Sequence, residues 1–181
     1  MENEITSSIL RVGISAFLIA IVFIICRVKK LPFKETLALR WVSYKDTFLW
    51  VSLFVVWIVI EEVSFNFLGI PSAQTWTYSL PAIFIRAFGI ILIAPIGEEL
   101  LFRGLLFKRI NDTKLGVIGA ILIPAVIFAL IHVQYVVPVI VFIFIDGLFY
   151  GYVRYKTASV ILPILLHSLG NVYAVFERFP S

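Results

Sequence analysis

The sequence predicts an all-α, polytopic membrane protein, a bundle of about six transmembrane helices. The first observation is composition, because 61% of the 181 residues are hydrophobic and 14% are charged. An average soluble domain is about 45–50% apolar and about 25% charged. The second observation is pattern, since the apolar residues fall into long runs separated by short polar connections. This chain therefore has more apolar surface than one small core could bury.

Six apolar segments approach the length of about 20 residues that a helix needs to cross the hydrocarbon layer. The first is interrupted early by Arg11, and the second extends to Ile70 if Glu61 and Glu62 lie near an interface. We expect the six helices at residues 8–26, 47–60, 80–107, 115–131, 136–152 and 158–176.

Lys and Arg are concentrated in the connections after the first, third and fifth segments, and the connections after the second and fourth contain none. The positive-inside rule places basic connections in the cytoplasm. The acidic start, MENEITSS, lacks the basic residues of a cleavable signal peptide, so we expect the first segment to be retained. We therefore expect a multi-pass protein of the cell membrane with its N-terminus and C-terminus outside.

Residues 31–44 are the one sizeable stretch that does not span. Their apolar residues recur at near-helical spacing around Lys34 and Arg40, which favours an amphipathic helix on the cytoplasmic leaflet over an irregular connector. Residues 1–79 then form two membrane helices joined by this basic segment, and residues 80–181 form a four-helix region. Basic residues form no patch with interleaved aromatic residues, so we expect the lipid bilayer, and no nucleic acid, as a partner.

Ionisable residues within membrane helices are candidates for function, and the stretch GEELLFRG places three of them in very apolar surroundings. Glu99 and Arg103 are four residues apart on one helical face, so we expect them to pair. Glu98 points about 100° away and has no partner near it in sequence, which suits a general base or acid. The alternative is that all three only hold helices together, although buried ion pairs are poor stabilisers.

Both histidines of the chain lie in apolar segments. His132 follows Phe128 by four residues. His167 precedes Asn171 by four, which puts an imidazole and a carboxamide on one helical face. A lone helical histidine is usually structural, and that alternative stays open. Two histidines, a carboxamide and an unpaired carboxylate in membrane helices together favour a functional site.

Three motifs thus occur in order: EExxxR at Glu98, Glu99 and Arg103, FxxxH at Phe128 and His132, and HxxxN at His167 and Asn171. Together they resemble the CAAX prenyl protease and bacteriocin-processing family, the type II CAAX or Abi family of intramembrane proteases. The resemblance covers about residues 80–176, the four-helix catalytic core of that family. EExxxR alone is a weak signal, but the ordered set is specific.

The resemblance implies a peptidase with an active site among the helices, reached from the cytoplasmic side, that cleaves a peptide or membrane-protein substrate. Glu98 would be the base that activates water, with His132 positioning that water. His167 and Asn171 would stabilise the oxyanion. Peptide hydrolysis needs an activated water and donors aimed at the developing negative charge, and these side chains can supply both.

Two further parts of the resemblance concern support and metal. Glu99 and Arg103 would keep the motif helix oriented. Because family members have also been described as metal-dependent, Glu98, His132 and His167 would alternatively ligate Zn²⁺, and three N/O ligands with an open fourth position suit catalytic zinc. The residues alone do not separate the metal-free and zinc mechanisms.

Two other functions are compatible with the sequence. One is a non-catalytic membrane scaffold or bacteriocin self-immunity protein of the same family, which would act by binding a partner. The other is a proton-coupled carrier, because ionisable residues in helices also mark proton relays. The short chain and the lack of an inverted repeat argue against a carrier.

One feature fits poorly with six straight helices. At ~1.5 Å per residue, Glu98 and His167 lie roughly 15 Å from the flanking Lys108 and Lys156, whereas His132 lies roughly 27 Å from its flanking lysine. The fourth segment would then have to dip into the membrane, tilt strongly or kink.

Asp146 has no place in the family pattern, and we expect it either to pair with Arg86 or to act as an accessory acid. It directly precedes Gly147 and Gly151, a GxxxG pair that favours close helix contact.

Overall fold

The computed structural model describes residues 2–70 and 75–179, and these residues form helices and connecting turns with no strand. Four helices are long and apolar enough to cross a membrane, and two further apolar helices are shorter. This confirms the predicted all-α membrane bundle, and each of the six expected segments is a helix. The helices are α1 Glu2–Val28, α2 Phe33–Thr36, α3 Tyr44–Leu68, α4 Leu80–Asn111, α5 Gly116–Leu130, α6 Val137–Thr157 and α7 Ile161–Phe176.

Helix α4 contains two wider π-helical stretches, Gly89–Ile93 and Leu100–Leu106, on either side of the two glutamates. Pro95 accounts for the first, because proline has no backbone N–H and disrupts the regular hydrogen-bond ladder. π-helical turns inside α-helices often occur at functional sites. The helix is therefore irregular at the place where the sequence predicts the chemistry.

Helices α1 and α4 run parallel in close contact. A Cβ on Gly89 would lie 2.7 Å from Val12 Cγ2, and a Cβ on Gly97 would lie 3.3 Å from Ile19 Cγ1. Residue numbers therefore increase together along the two helices. The connections after α1, α4 and α6 consequently lie at one end of the bundle, which we call the basic end.

Helices α5 and α6 form an antiparallel pair, and the GxxxG glycines of α6 lie in their contact. A Cβ on Gly147 would lie 3.0 Å from Ala125 Cα, and a Cβ on Gly151 would lie 3.2 Å from Ile121 Cγ2. The absence of side chains lets the two backbones approach, which brings the α6 backbone within reach of side chains on α4.

The expectation of one amphipathic helix over residues 31–44 is wrong in extent, because the helix here covers only Phe33–Thr36. Ala38 has a φ of 52°, which ends helical geometry, and Leu37 is buried against Gly104 of α4. The backbone then bonds to the turn after α6, since the Val160 N–H donates to the Ala38 carbonyl at 3.0 Å. This stretch therefore packs against other parts of the protein, where its backbone N–H and C=O groups form hydrogen bonds.

The depth mismatch expected for His132 is also wrong. Helix α4 continues past Lys108 to Asn111, and α5 begins at Gly116. At ~1.5 Å per residue, Glu98 is about 20 Å from that end of α4, and His132 is about 24 Å beyond the start of α5. Ordinary helix lengths therefore bring both residues to a similar depth.

Candidate active site

Glu99 and Arg103 form a fully buried ion pair. Their side chains are 0% and 1% exposed, and Arg103 Nη1 lies 2.8 Å from Glu99 Oε1. The other amino group of Arg103, Nη2, donates to the Gly147 carbonyl of α6 at 2.9 Å, next to the close contact between α5 and α6. The guanidinium carbon also lies 4.8 Å from the centroid of the Phe128 ring. The pairing predicted from spacing is present, and it ties α4 to α6.

Glu99 has a second partner that spacing along the chain did not reveal. Its Oε1 accepts a hydrogen bond from His167 Nδ1 at 3.0 Å. A carboxylate in an ion pair only accepts, so Nδ1 of His167 carries the hydrogen. The ring is further fixed by stacking on Tyr150, with centroids 5.3 Å apart and planes 15° apart. This contact was not predictable from spacing in the sequence, because the two residues lie on different helices.

Glu98 is the more accessible of the two glutamates. Its side chain is 20% exposed, and its Oε2 lies 3.8 Å from His167 Nε2. That separation is longer than a direct hydrogen bond. Glu98 therefore lacks the arginine partner that Glu99 has, and it faces the free nitrogen of an imidazole that the ion pair orients.

His132 lies in the turn after α5 and is half-buried. Its Nδ1 donates to the Phe128 carbonyl at 2.7 Å, which leaves Nε2 free. The Phe128 ring contacts both imidazoles, with centroids 4.9 Å from His132 and 5.6 Å from His167. The structure shows no direct hydrogen bond between His132 and Glu98. The two histidines and Glu98 thus share one region around Phe128.

Asn171 bonds to the backbone of α4. Its Nδ2 donates to the Ile90 carbonyl at 2.7 Å, in the first π-helical stretch of α4. The Ala94 N–H already donates to the Gly89 carbonyl, and Pro95 has no N–H to offer. The Ile90 carbonyl therefore needs a donor from outside its helix, and Asn171 supplies it. One N–H of the carboxamide is used in this way, and the second stays available.

Asp146 does not pair with Arg86, so that expectation is wrong. Its Oδ1 accepts a hydrogen bond from Trp57 Nε1 at 2.7 Å. Arg86 instead faces α1, where its Nη2 reaches Ser7 Oγ at 3.4 Å. The two charges lie on different sides of the bundle because Asp146 on α6 faces α3. Trp57 thereby connects an N-terminal helix to the residue beside Gly147.

The zinc alternative finds limited support in this geometry. In residues 2–70 and 75–179, no three His, Cys, Asp or Glu side chains are grouped so that they could hold a metal ion. Each imidazole does use Nδ1 for a hydrogen bond and keep Nε2 free, as metal-binding histidines usually do. Glu98, His132 and His167 are not grouped as three metal ligands within the described residues.

Residues 80–173 match the family described as "Type II CAAX prenyl endopeptidase Rce1-like". This match covers just over half of the chain and includes all six residues of the three motifs that carry charge or hydrogen-bonding groups. The chain belongs to the Rce1-like family. The match begins at the first residue of α4, so α1–α3 of this Rce1-like protein lie outside it.

The Rce1-like chain is also similar to an uncharacterized 24.3 kDa protein of Escherichia coli. The two are 30% identical over 92 residues, which is 49% of this chain and 42% of that protein. The chain thus matches less than half the length of this relative. No solved structure matches the chain. Family membership and the apolar helices together identify a multi-pass membrane protein of a protease family.

Proposed function

We propose that the protein is an intramembrane endopeptidase in which Glu98 is the general base. This proposal rests on the distance of 3.8 Å between Glu98 Oε2 and His167 Nε2. The opposite nitrogen of His167, Nδ1, is hydrogen-bonded to Glu99. A polar separation beyond 3.5 Å is one at which a water can contact both groups. A water bound there would lie beside a carboxylate able to take its proton.

The proposed reaction transfers that proton twice. Glu98 accepts a proton from water as the water oxygen bonds to the carbonyl carbon of the peptide. The free Nε2 of His132 accepts a hydrogen bond from the same water and orients it. Glu98 then delivers the proton to the amide nitrogen as the C–N bond breaks. General acid–base catalysis of this kind contributes about 10²–10⁴-fold.

Stabilisation of the oxyanion falls to His167 and Asn171. A cationic imidazole donates from both nitrogens, and His167 lies between two carboxylates, Glu98 and Glu99, that can balance such a charge. Asn171 has one N–H left after bonding to α4. Glu99 and Arg103 act through His167 and are positioning residues.

The region that carries out this chemistry is residues 80–181, and we assign residues 1–79 a supporting role. The substrate class is a peptide or a membrane-anchored protein whose scissile bond reaches the depth of Glu98. Zn²⁺ stays an alternative cofactor, to be tested by activity after chelation and metal return.

The direct test compares purified wild-type protein, Glu98→Gln and Glu61→Gln in cleavage of a quenched-fluorescent peptide library in proteoliposomes. Glu61 is a second carboxylate in a membrane helix, outside the proposed site. We expect no cleavage by Glu98→Gln and normal cleavage by Glu61→Gln. Full activity of a folded Glu98→Gln protein would refute Glu98 as the base. Proteomics of membranes with wild-type or Glu98→Ala protein should identify the substrate as a precursor that accumulates with the variant.

A second candidate is a scaffold or self-immunity protein that binds a partner without cleaving it. The engagement of the Asn171 carboxamide with the Ile90 carbonyl favours it, because that bond gives an HxxxN residue a structural use. A Glu98→Gln protein that restores the cellular phenotype of a deletion strain would support this function, and loss of rescue would support the peptidase.

We further propose that the basic end faces the cytoplasm, with both termini outside. In a Cys26→Ala background, a membrane-impermeant maleimide added to intact cells should label Val133→Cys and leave Lys114→Cys unlabelled. The reverse pattern would invert the topology.

A further inference from the structure

A cavity of about 520 Å³ lies at the basic end, between the start of α3 and the end of α6. It is separate from the region around Glu98, and the proposed peptidase reaction does not use it. Its lining includes Arg40, Trp41, Asp46, Trp50 and Lys156.

The cations of this cavity have no carboxylate partner among the residues that the structure describes. Arg40 gives one Nη2 hydrogen bond to the Thr157 carbonyl, at 2.9 Å, and Lys156 Nζ lies 5.7 Å from the centroid of the Tyr152 ring. Neither forms a salt bridge within residues 2–70 and 75–179. Two positive charges of the lining, Arg40 and Lys156, therefore have no salt-bridge partner there.

The one acid of the lining is already occupied. Asp46 Oδ2 accepts from Ser43 Oγ at 2.7 Å, and Ser43 Oγ in turn accepts from the Asp46 N–H at the first turn of α3. Its carboxylate belongs to a helix cap and is therefore a poor partner for the cations of the lining. The net charge of the cavity is therefore positive.

The aromatic residues around the cavity suit a membrane–water interface. Trp41 is 86% exposed and Tyr44 is 95% exposed, although both are large and partly apolar. Trp and Tyr are enriched at the level of the lipid head groups, where one side of the ring is apolar and the other is wet. Exposed Trp at the rim therefore places the cavity at the depth of head groups.

We propose that this cavity binds the phosphate head group of an anionic phospholipid. Basic pockets between transmembrane helices on the cytoplasmic side are the sites that such head groups occupy. Arg40 and Lys156 contact the phosphate from two walls, and the Trp41 ring lies against the glycerol and upper acyl region. The lipid thereby joins the 37–43 stretch to α6, two parts of the chain that Arg40 and Thr157 already connect.

The test uses full-length protein in detergent, titrated with phosphatidylglycerol or phosphatidylcholine and observed by native mass spectrometry at low ionic strength. Wild-type protein should prefer phosphatidylglycerol. Arg40→Gln and Lys156→Gln should each weaken that binding about fivefold, because each charge near an anionic lipid contributes about 1 kcal/mol. Asp46→Asn keeps the cap and should strengthen binding. Lys114→Gln removes an exposed cation at the same end, outside the cavity, and should leave binding unchanged.

Three outcomes would overturn the proposal. Equal affinity for the two lipids would remove the requirement for negative charge. Equal losses in Lys114→Gln and Lys156→Gln would make the attraction a general property of the basic end. Displacement of phosphatidylglycerol by millimolar inorganic phosphate, with no effect of the acyl chains, would assign the cavity to a soluble anion. Lys156→Gln keeps the test valid if Arg40→Gln fails to fold, since the Lys156 side chain donates no hydrogen bond to the backbone.

Discussion

Replacing both residues of the buried Glu99–Arg103 pair with apolar residues should abolish activity and cost less stability than removing one charge alone. Removing one charge of a buried pair typically costs about 3–5 kcal/mol, because the other charge is left uncompensated. Glu99→Leu should lose about that much, since Arg103 is 1% exposed and its other hydrogen bond goes to the uncharged Gly147 carbonyl. In the double variant Glu99→Leu/Arg103→Met both charges of the pair are removed together. The expected residual cost is about 1–3 kcal/mol for the His167 Nδ1–H, which is left without its acceptor.

The same double variant should have no peptidase activity, because His167 Nδ1 has lost its acceptor. Stability would be measured by reversible unfolding in mixed micelles, followed by tryptophan fluorescence. The exposed pair Lys108–Asp112 has the same spacing, with side chains 44% and 52% exposed, and is the matched control. Its apolar double variant should change stability by less than about 1 kcal/mol. A Glu99/Arg103 double variant as unstable as the sum of its single variants, or one that keeps full activity, would refute the reasoning.

Three further predictions concern contacts between helices, each measured by the same unfolding assay. Asn171→Leu should cost about 1–3 kcal/mol, because a carbonyl of α4 loses its donor; an unchanged protein would mean that water replaces the amide. Trp57→Phe should cost a similar amount by leaving Asp146 without a donor, and Trp57→Phe combined with Asp146→Leu should recover part of it. Gly147→Ala should cost about 1–3 kcal/mol by overpacking the α5–α6 contact. Gly13→Ala, with no atom within 4 Å of the added Cβ, should be neutral or stabilising, and equal effects of the two alanines would contradict the packing argument.

Features that depend on one helix were predictable from the sequence. Apolar length identified the four helices long enough to cross a membrane and the two shorter apolar helices, and the i, i+4 rule predicted the Glu99–Arg103 pair. Contacts between helices were not predictable in this way. The bond from Glu99 to His167 spans 68 positions, and the partner of Asp146 depends on which helix packs beside α6. Motif order could suggest that the site residues converge, but only the fold could supply their distances.

The extent of α2 and the depth of His132 were mispredicted for related reasons. Near-helical spacing in residues 31–44 reflected burial against other helices, with backbone hydrogen bonds to a distant turn. The predicted depth of Glu98 was counted from Lys108, whereas α4 continues to Asn111. Charged residues near a helix end mark the interface only approximately, because long side chains extend towards water while the helix goes on.

The missing amide hydrogen of Pro95 makes two remote positions in the chain interdependent. The Ile90 carbonyl of α4 has no donor within its own helix, and the Asn171 side chain of α7 supplies one. This bond fixes the spacing between α4 and α7 near Glu98 and Glu99. Related chains with a different residue in place of the proline would have no vacant acceptor, and their asparagine would be released to turn toward whatever is bound.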